Sequence, residues 1–378
     1  MTTSITDLFP KTYEASRHRF RETLPLLQKK WPAAPLVTHT YEEPDGLTTD
    51  WIYAEALGQN QKVFILTTGE HGIEGYVGSA MLQRFTEVYL PHLDPQTTGI
   101  LLLHAINPWG MKHYRRANAN NVDLNRNFVY STADIDPAFN PEHPKINTFV
   151  NPSKRAGSYG GTLLAFNLLL LKVLARLGFQ GFKRAGLLGH YYNPKGVHYG
   201  GNRYQEETRT LMSLYREAFQ TYNQVLHLDM HTGYGPRYQM SLVNSGYQQG
   251  RSQDFIRRFN YPLVVTANTD EFYELRGDMI DYVYTLWQNE FPEKRLYSNS
   301  FEFGTYGHSR LAVLRTIRSL TLENQVFWYG SRSPKGRARI ENDFLELFYP
   351  QADDWQRKAV ADADQAFEGI LKAEGSIP

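Results

Sequence analysis

The sequence predicts an α/β fold, a mixed central β-sheet flanked by helices, in a single domain over residues 1–378 with insertions. Residues 62–66 are an apolar run of strand length, residues 76–90 repeat apolar side chains at helical spacing, and residues 99–107 are apolar again. Strand, helix and strand at that spacing form a βαβ unit. Two further apolar strands, 225–231 and 296–303, end in polar residues followed by glycine: His231 before Thr232-Gly233, and Glu302 before Phe303-Gly304.

Residues 1–30 read as a cover helix, with Phe20, Leu24 and Leu27 on one face. Strand patterns follow at 36–41 and 49–57, and Pro44-Asp45-Gly46 between them signals a hairpin turn. Residues 110–160 are rich in Asn, Pro and Gly and read as a long irregular connection, a kind of segment that tends to be functional. The apolar run 163–177 is broken by Asn167, Lys172 and Arg176 and is too short to span a bilayer, which suggests a buried or half-buried helix. A glycine-rich loop at 193–202 precedes a helix at 206–223, and residues 131–205 together form an insertion region. Short strands are expected at 240–243 and 263–267, with helices at 252–259, 278–290, 310–326 and 353–374. The basic, turn-rich stretch 331–339 reads as a solvated loop that opens a C-terminal extension, 331–378.

Forty basic against 39 acidic residues leave a formal charge of +1, so no global field favours nucleic acid or an anionic membrane. The first 21 residues lack the apolar stretch of a secretory signal, and a cytoplasmic protein is expected. With no cysteine, a transition metal would have to be held by His, Asp and Glu.

The chemistry gathers at 67–75, Thr-Thr-Gly-Glu-His-Gly-Ile-Glu-Gly, between a strand and a helix. His71 and Glu74 stand three apart, so on a first helical turn an imidazole and a carboxylate can converge on one metal ion. His231, at the end of another apolar strand, is the best third donor; His, Glu and His leave a fourth position for water, as in catalytic zinc sites. Asp229 is placed to orient a ligand histidine through its other ring nitrogen.

His71-Gly-Ile-Glu74, then Arg116 through Asp123-Leu-Asn125-Arg126-Asn-Phe128, then Leu-Asp-Met-His231-Thr-Gly, then Phe-Glu302-Phe-Gly occur in an order that resembles the zinc carboxypeptidase (M14) superfamily. The turn at 69–75 and the loop at 193–201 look most like the M14-like branch known as DUF2817. The resemblance implies a zinc-carboxypeptidase-like domain with Zn2+ held by His71, Glu74 and His231. It implies Glu302 as general base and acid, and Arg116 as the cation that polarises the scissile carbonyl. Asn125 and Arg126 match the pair that grips a substrate's free carboxylate. The tyrosine that folds over substrate has two candidates, Tyr273 and Tyr282.

The expected activity is therefore hydrolysis of an amide next to a free carboxylate, with a short peptide as substrate. The alternative is deacylation of an N-acyl amino acid, as in the aspartoacylase and succinylglutamate desuccinylase branch. A metal-binding or ligand-binding protein without catalysis is a third reading. Glu70 and Glu323 are weaker rivals of Glu302, Arg115 is expected to be solvated, and a second metal, if any, would be sought at His190 and His198. Neither nucleic acid nor membrane is expected as a partner.

Overall fold

In the computed structural model, which describes residues 5–41, 46–267 and 275–378, one eight-stranded sheet runs through the molecule. Its strands are β1 (Leu36–Thr40), β2 (Thr48–Ala54), β3 (Lys62–Thr68), β4 (Thr98–His104), β5 (Gln224–Thr232), β6 (Met240–Asn244), β7 (Val264–Thr266) and β8 (Arg295–Phe303). They lie in the order β1-β2-β4-β3-β5-β8-β6-β7. The central pairs β4-β3, β3-β5 and β5-β8 are parallel, while β1-β2, β2-β4 and β8-β6 are antiparallel, so the sheet is mixed as the sequence predicts. The β1-β2 pairing is that of the expected hairpin, although Pro44 and Asp45 lie outside the described residues.

Helices cover both faces. In chain order they are α1 (Tyr13–Glu22), α2 (Leu24–Gln28), α3 (Gly75–Val88), α4 (Pro108–Lys112), α5 (Asn147–Val150) and α6 (Tyr159–Leu187). The second half of the chain adds α7 (Glu206–Thr221), α8 (Ser252–Phe259), α9 (Met279–Glu290), α10 (Arg310–Tyr329), α11 (Pro334–Phe348) and α12 (Asp353–Ala373). Successive side chains on a strand point to opposite faces, so β3 sends Phe64 and Leu66 into the core under α3 and α12, and Val63 and Ile65 into the core under α7 and α9. The same alternation on β5 puts Leu226, Leu228 and Met230 in the first core. It leaves His227, Asp229 and His231 together on the other face, all buried. This is how one strand supplies both packing and chemistry.

One element differs from the sequence reading. Residues 331–339 are not a loop: Ser333 caps α11 by accepting the N–H of Gly336 at 3.0 Å, and Pro334 occupies the first helical position. Ser followed by Pro is a helix-start signal, here masked by the basic residues around it. Helix α6 is half-buried along the apolar run: it packs Phe166, Leu170 and Phe182 against Phe149 and Ile317, while Leu164, Leu168 and Leu171 are exposed. Apolar residues all round the helix gave no signal of which face the fold would cover.

Because the Ser333 side chain satisfies a helix N–H that nothing else reaches, Ser333→Ala is expected to lower stability by about 1 kcal/mol. The unfolding midpoint in urea reads this, and an unchanged midpoint would show that the cap contributes nothing.

Candidate metal centre

The carboxyl ends of the parallel strands β3, β5 and β8 meet at one point, the region of an open α/β sheet where ligands bind. Strand β3 ends in the turn that carries His71 and Glu74 into α3. Its backbone N–H groups are held by the neighbouring loop, Gly72 to the carbonyl of Arg116 at 3.2 Å and Ile73 to that of Arg115 at 2.9 Å. Gly72 is required there, since a Cβ at that position would sit 2.1 Å from the backbone carbon of Gly110. Across β5 and β8 the register sets His231 directly beside Glu302.

The imidazoles of His71 and His231 converge, with ring centres 5.2 Å apart. Both present Nδ1 to one carboxylate: His71 Nδ1 is 2.9 Å from Glu74 Oε1, and His231 Nδ1 is 3.2 Å from Glu74 Oε2. Each ring is held from behind by a different acid. His71 Nε2 lies 3.1 Å from Asp123 Oδ1, and His231 Nε2 contacts Asp229 Oδ2. Asp229 in turn accepts the hydroxyl of Thr67 at 2.6 Å, and Asp123 forms an ion pair with Arg116. Beneath them, His227 is held between Thr67, at 2.9 Å, and Ser298, also at 2.9 Å. The placement of Asp229 behind His231 is that read from the sequence. Asp123 behind His71 is not: the sequence showed it only as an acid two places before Asn125, on a different segment from the histidine it touches.

Burial sets the electrostatics. It pushes the Glu302 carboxyl up to about 8 and raises Glu70 far above the ordinary carboxylate range. Burial would raise Glu74 as well, but His71 and His231 outweigh it and hold that carboxylate at about 2. For His231, burial would lower the imidazole, yet Asp229 and Glu74 prevail and keep it protonated well above its usual range. Asp123 is likewise held low against burial by Arg116 and Arg126.

Glu70 has a larger part here than the sequence suggested. It is fully buried, neither carboxylate oxygen has a hydrogen-bond partner, and Oε2 is 3.4 Å from His231 Nε2. Potential ligand atoms of Glu70, His71 and His231 lie within 4.8 Å of one another. The two oxygens of Glu74 face both Nδ1 atoms, whereas Glu70 approaches His231 on the Nε2 side that Asp229 also contacts. Among the described residues no such group includes His190 or His198. His198 gives Nδ1 to the carbonyl of Gly186 at 2.8 Å, and His190 lies against His143 with ring centres 4.0 Å apart.

A cavity of about 450 Å³ opens over the centre, bordered by His71, Glu74, Arg116, Asn125, Arg126 and Glu302. His231 borders instead an adjoining cavity of about 160 Å³ with Asn125, Glu302, Asp278 and Asp281. Arg126 is buried, donates to the carbonyls of Asn125 at 2.6 Å and Leu187 at 2.8 Å, and keeps Nε without a partner. Asn125 accepts the N–H of Met279 through Oδ1 at 2.9 Å. This segment is held by Asn127, whose amide makes four bonds to residues 200–208. Tyr273 lies outside the described residues, and Tyr282 is buried in the core beside Phe128. Tyr234, unremarked in the sequence, borders the larger cavity. Arg115 is not solvated: it is buried, 3.2 Å from Glu323 and stacked over Phe327.

The donor set suits a divalent metal. Glu302 Oε2 is buried without a hydrogen-bond partner, and imidazole nitrogen with carboxylate oxygen is a zinc-compatible combination. Asp123→Asn, which weakens the hold on the back of His71, is expected to lower zinc affinity about 10–100-fold, measured by competition with a chromogenic chelator. Burial raises the proton affinity of Glu302, to about 8, so that without metal it holds its proton at neutral pH, and a dication must displace it. Affinity should therefore rise as pH is raised toward about 8, with protons released on binding. Calorimetry in two buffers of different ionisation enthalpy counts them, and no proton release would contradict these charge states.

Among solved structures, the chain is similar to the carboxypeptidase A of Helicoverpa armigera, at 14% identity over 96% of this chain and 76% of that one, with a TM-score of 0.48. It is similar to bovine thrombin-activatable fibrinolysis inhibitor, at 14% identity over 82% and 95% of the two chains and a TM-score of 0.45. A succinylglutamate desuccinylase from a Silicibacter species shows 12% identity over 79% and 66%, with a TM-score of 0.37. These likenesses are distant. A search of curated proteins finds no match. The family described as "Protein of unknown function (DUF2817)" matches residues 9–362, and the chain belongs to that family.

Proposed function

We propose that the protein is a zinc-dependent hydrolase that cleaves an amide bond next to a free carboxylate, acting as a carboxypeptidase on short peptides. The observation that carries this reading is the approach of two imidazole Nδ1 atoms to the single carboxylate of Glu74, with Glu302 alongside in register. His71, Glu74 and His231 would hold the metal. Zinc bound there would supply a Lewis acid and a water acidic enough to react at neutral pH.

Glu302 takes the proton of the attacking water and returns it to the leaving amine. Its high proton affinity and its unpartnered Oε2 suit a group that must both accept and give. Arg116, tied to Asp123 and bordering the cavity, holds the negative charge that grows on the carbonyl oxygen. Arg126 Nε and the amide of Asn125 receive the substrate's carboxylate. Tyr273 remains the candidate to fold over the substrate. The smaller cavity, with Asp278 and Asp281 in its wall, suits a positively charged side chain.

Deacylation of N-acyl amino acids is the second reading. It is favoured by the apolar part of the larger cavity's wall, where Leu187, Val313, Leu320 and Phe348 would accept an apolar acyl chain. Both readings use the same water and the same base. A panel of free and C-terminally amidated dipeptides and tripeptides, with N-acyl amino acids beside them, separates the two. Cleavage of peptides with a free carboxylate supports the first, and activity confined to acyl amino acids replaces it with the second. No activity on either with zinc bound leaves a metal-binding protein.

Glu302→Gln is expected to reduce turnover by about 100-fold or more while zinc content stays at the wild-type level. Metal analysis alongside kinetics tests this, and unchanged turnover would remove Glu302 from the mechanism.

A further inference from the structure

Helix α6 carries an apolar face that the fold leaves uncovered. Leu164, Leu168 and Leu171 recur at i, i+4 and i+7 and are 61%, 54% and 64% exposed. The opposite stripe, Thr162, Phe166 and Leu170, is buried against the body of the protein. A leucine stripe of this kind carries an uncompensated solvation cost unless something covers it.

The charge around it indicates what does. Between Glu142 and Glu206 the chain has nine Lys and Arg residues and no Asp or Glu, although the protein as a whole is nearly neutral. Lys172 and Arg176 are exposed on α6 itself, one and two turns past Leu168, and Lys154 and Arg155 are exposed just before its first turn. The acids beside the segment already have partners: Glu142 pairs with Lys145 at 2.6 Å, and Asp343 with Arg339 and the hydroxyl of Tyr159.

We propose that the exposed face of α6 docks on an anionic lipid surface, with its leucines among the acyl chains and Lys172 and Arg176 at the headgroups. An apolar stripe flanked by Lys and Arg is the pattern of a helix that lies in the interface plane. By length and composition α6 could also cross a membrane, but its inner stripe is packed against Phe149 and Ile317, and Gly178 breaks the helix at φ 65°. It therefore lies on the surface. A second copy is a poorer fit, because apposing two such faces would set Lys172 and Arg176 of each copy against the other's with no carboxylate on either helix. The last turns of α6 contribute Gln180, Lys183 and Leu187 to the border of the larger cavity, so docking would bring the mouth of the candidate site close to the bilayer.

The full chain is sedimented with vesicles of equal parts phosphatidylglycerol and phosphatidylcholine, and with phosphatidylcholine alone. Binding to the anionic vesicles that weakens as salt rises is expected. The pairs Leu168→Glu with Leu171→Glu, and Lys172→Glu with Arg176→Glu, should each weaken it about tenfold or more at an unchanged melting temperature. Should the leucine pair lower the melting temperature, the charge-reversal pair decides. No preference for anionic vesicles, or full binding by the charge-reversal pair, overturns the proposal. So does a vesicle-free dimer that the leucine pair dissociates, which would give the face to a second copy. The readout is binding, so its failure leaves the hydrolase reading untouched.

Discussion

Two buried imidazoles meeting one buried carboxylate is the arrangement on which the rest of the site depends. Removing these groups from water is costly unless each is paired, and the fold supplies the pairing from three parallel strand ends and one loop. Glu74 faces both Nδ1 atoms, Asp123 and Asp229 hold the two Nε2 atoms, and Arg116 neutralises Asp123. Once the outer nitrogens are fixed, the rings cannot turn, and the inner nitrogens are aimed at a common point. Orientation from behind is how proteins fix metal-ligating histidines.

The charge that is left over is equally informative. Glu70 and Glu302 sit within the same buried cluster with unpartnered oxygens, and burial raises the proton affinity of both. A cluster of this kind is under-neutralised by the protein alone. A dication would convert the surplus of carboxylate from a cost into binding energy, which gives a physical reason for so many acids around two histidines. Which acid is ligand, which is base and which is support follows from what each oxygen faces rather than from distance alone.

Much of this was legible in the sequence because it was local. The βαβ unit, the strand ends carrying His231 and Glu302, and the three-residue spacing of His71 and Glu74 are short-range patterns that periodicity exposes. Asp229 could be read because two residues on a strand share a face with His231. Asp123 could not, since it reaches His71 from a loop 52 residues away. Arg115 and Arg116 look alike in sequence, yet one is buried against Phe327 and Glu323 while the other borders the cavity. Net charge is equally blind to local bias: a total of +1 conceals a stretch between Glu142 and Glu206 in which every charged residue is basic. The apolar run of α6 could be read only as buried or half-buried, and the packing shows which stripe is covered and which is not.

The most direct measurement of the central claim is anomalous diffraction at the zinc absorption edge from crystals of the zinc-loaded protein. One peak is expected, bonded to Nδ1 of His71, Nδ1 of His231 and the carboxylate of Glu74, with Glu302 close to the remaining position. A peak on the Nε2 side of His231 with Glu70 as ligand, or no peak near these residues, would contradict it.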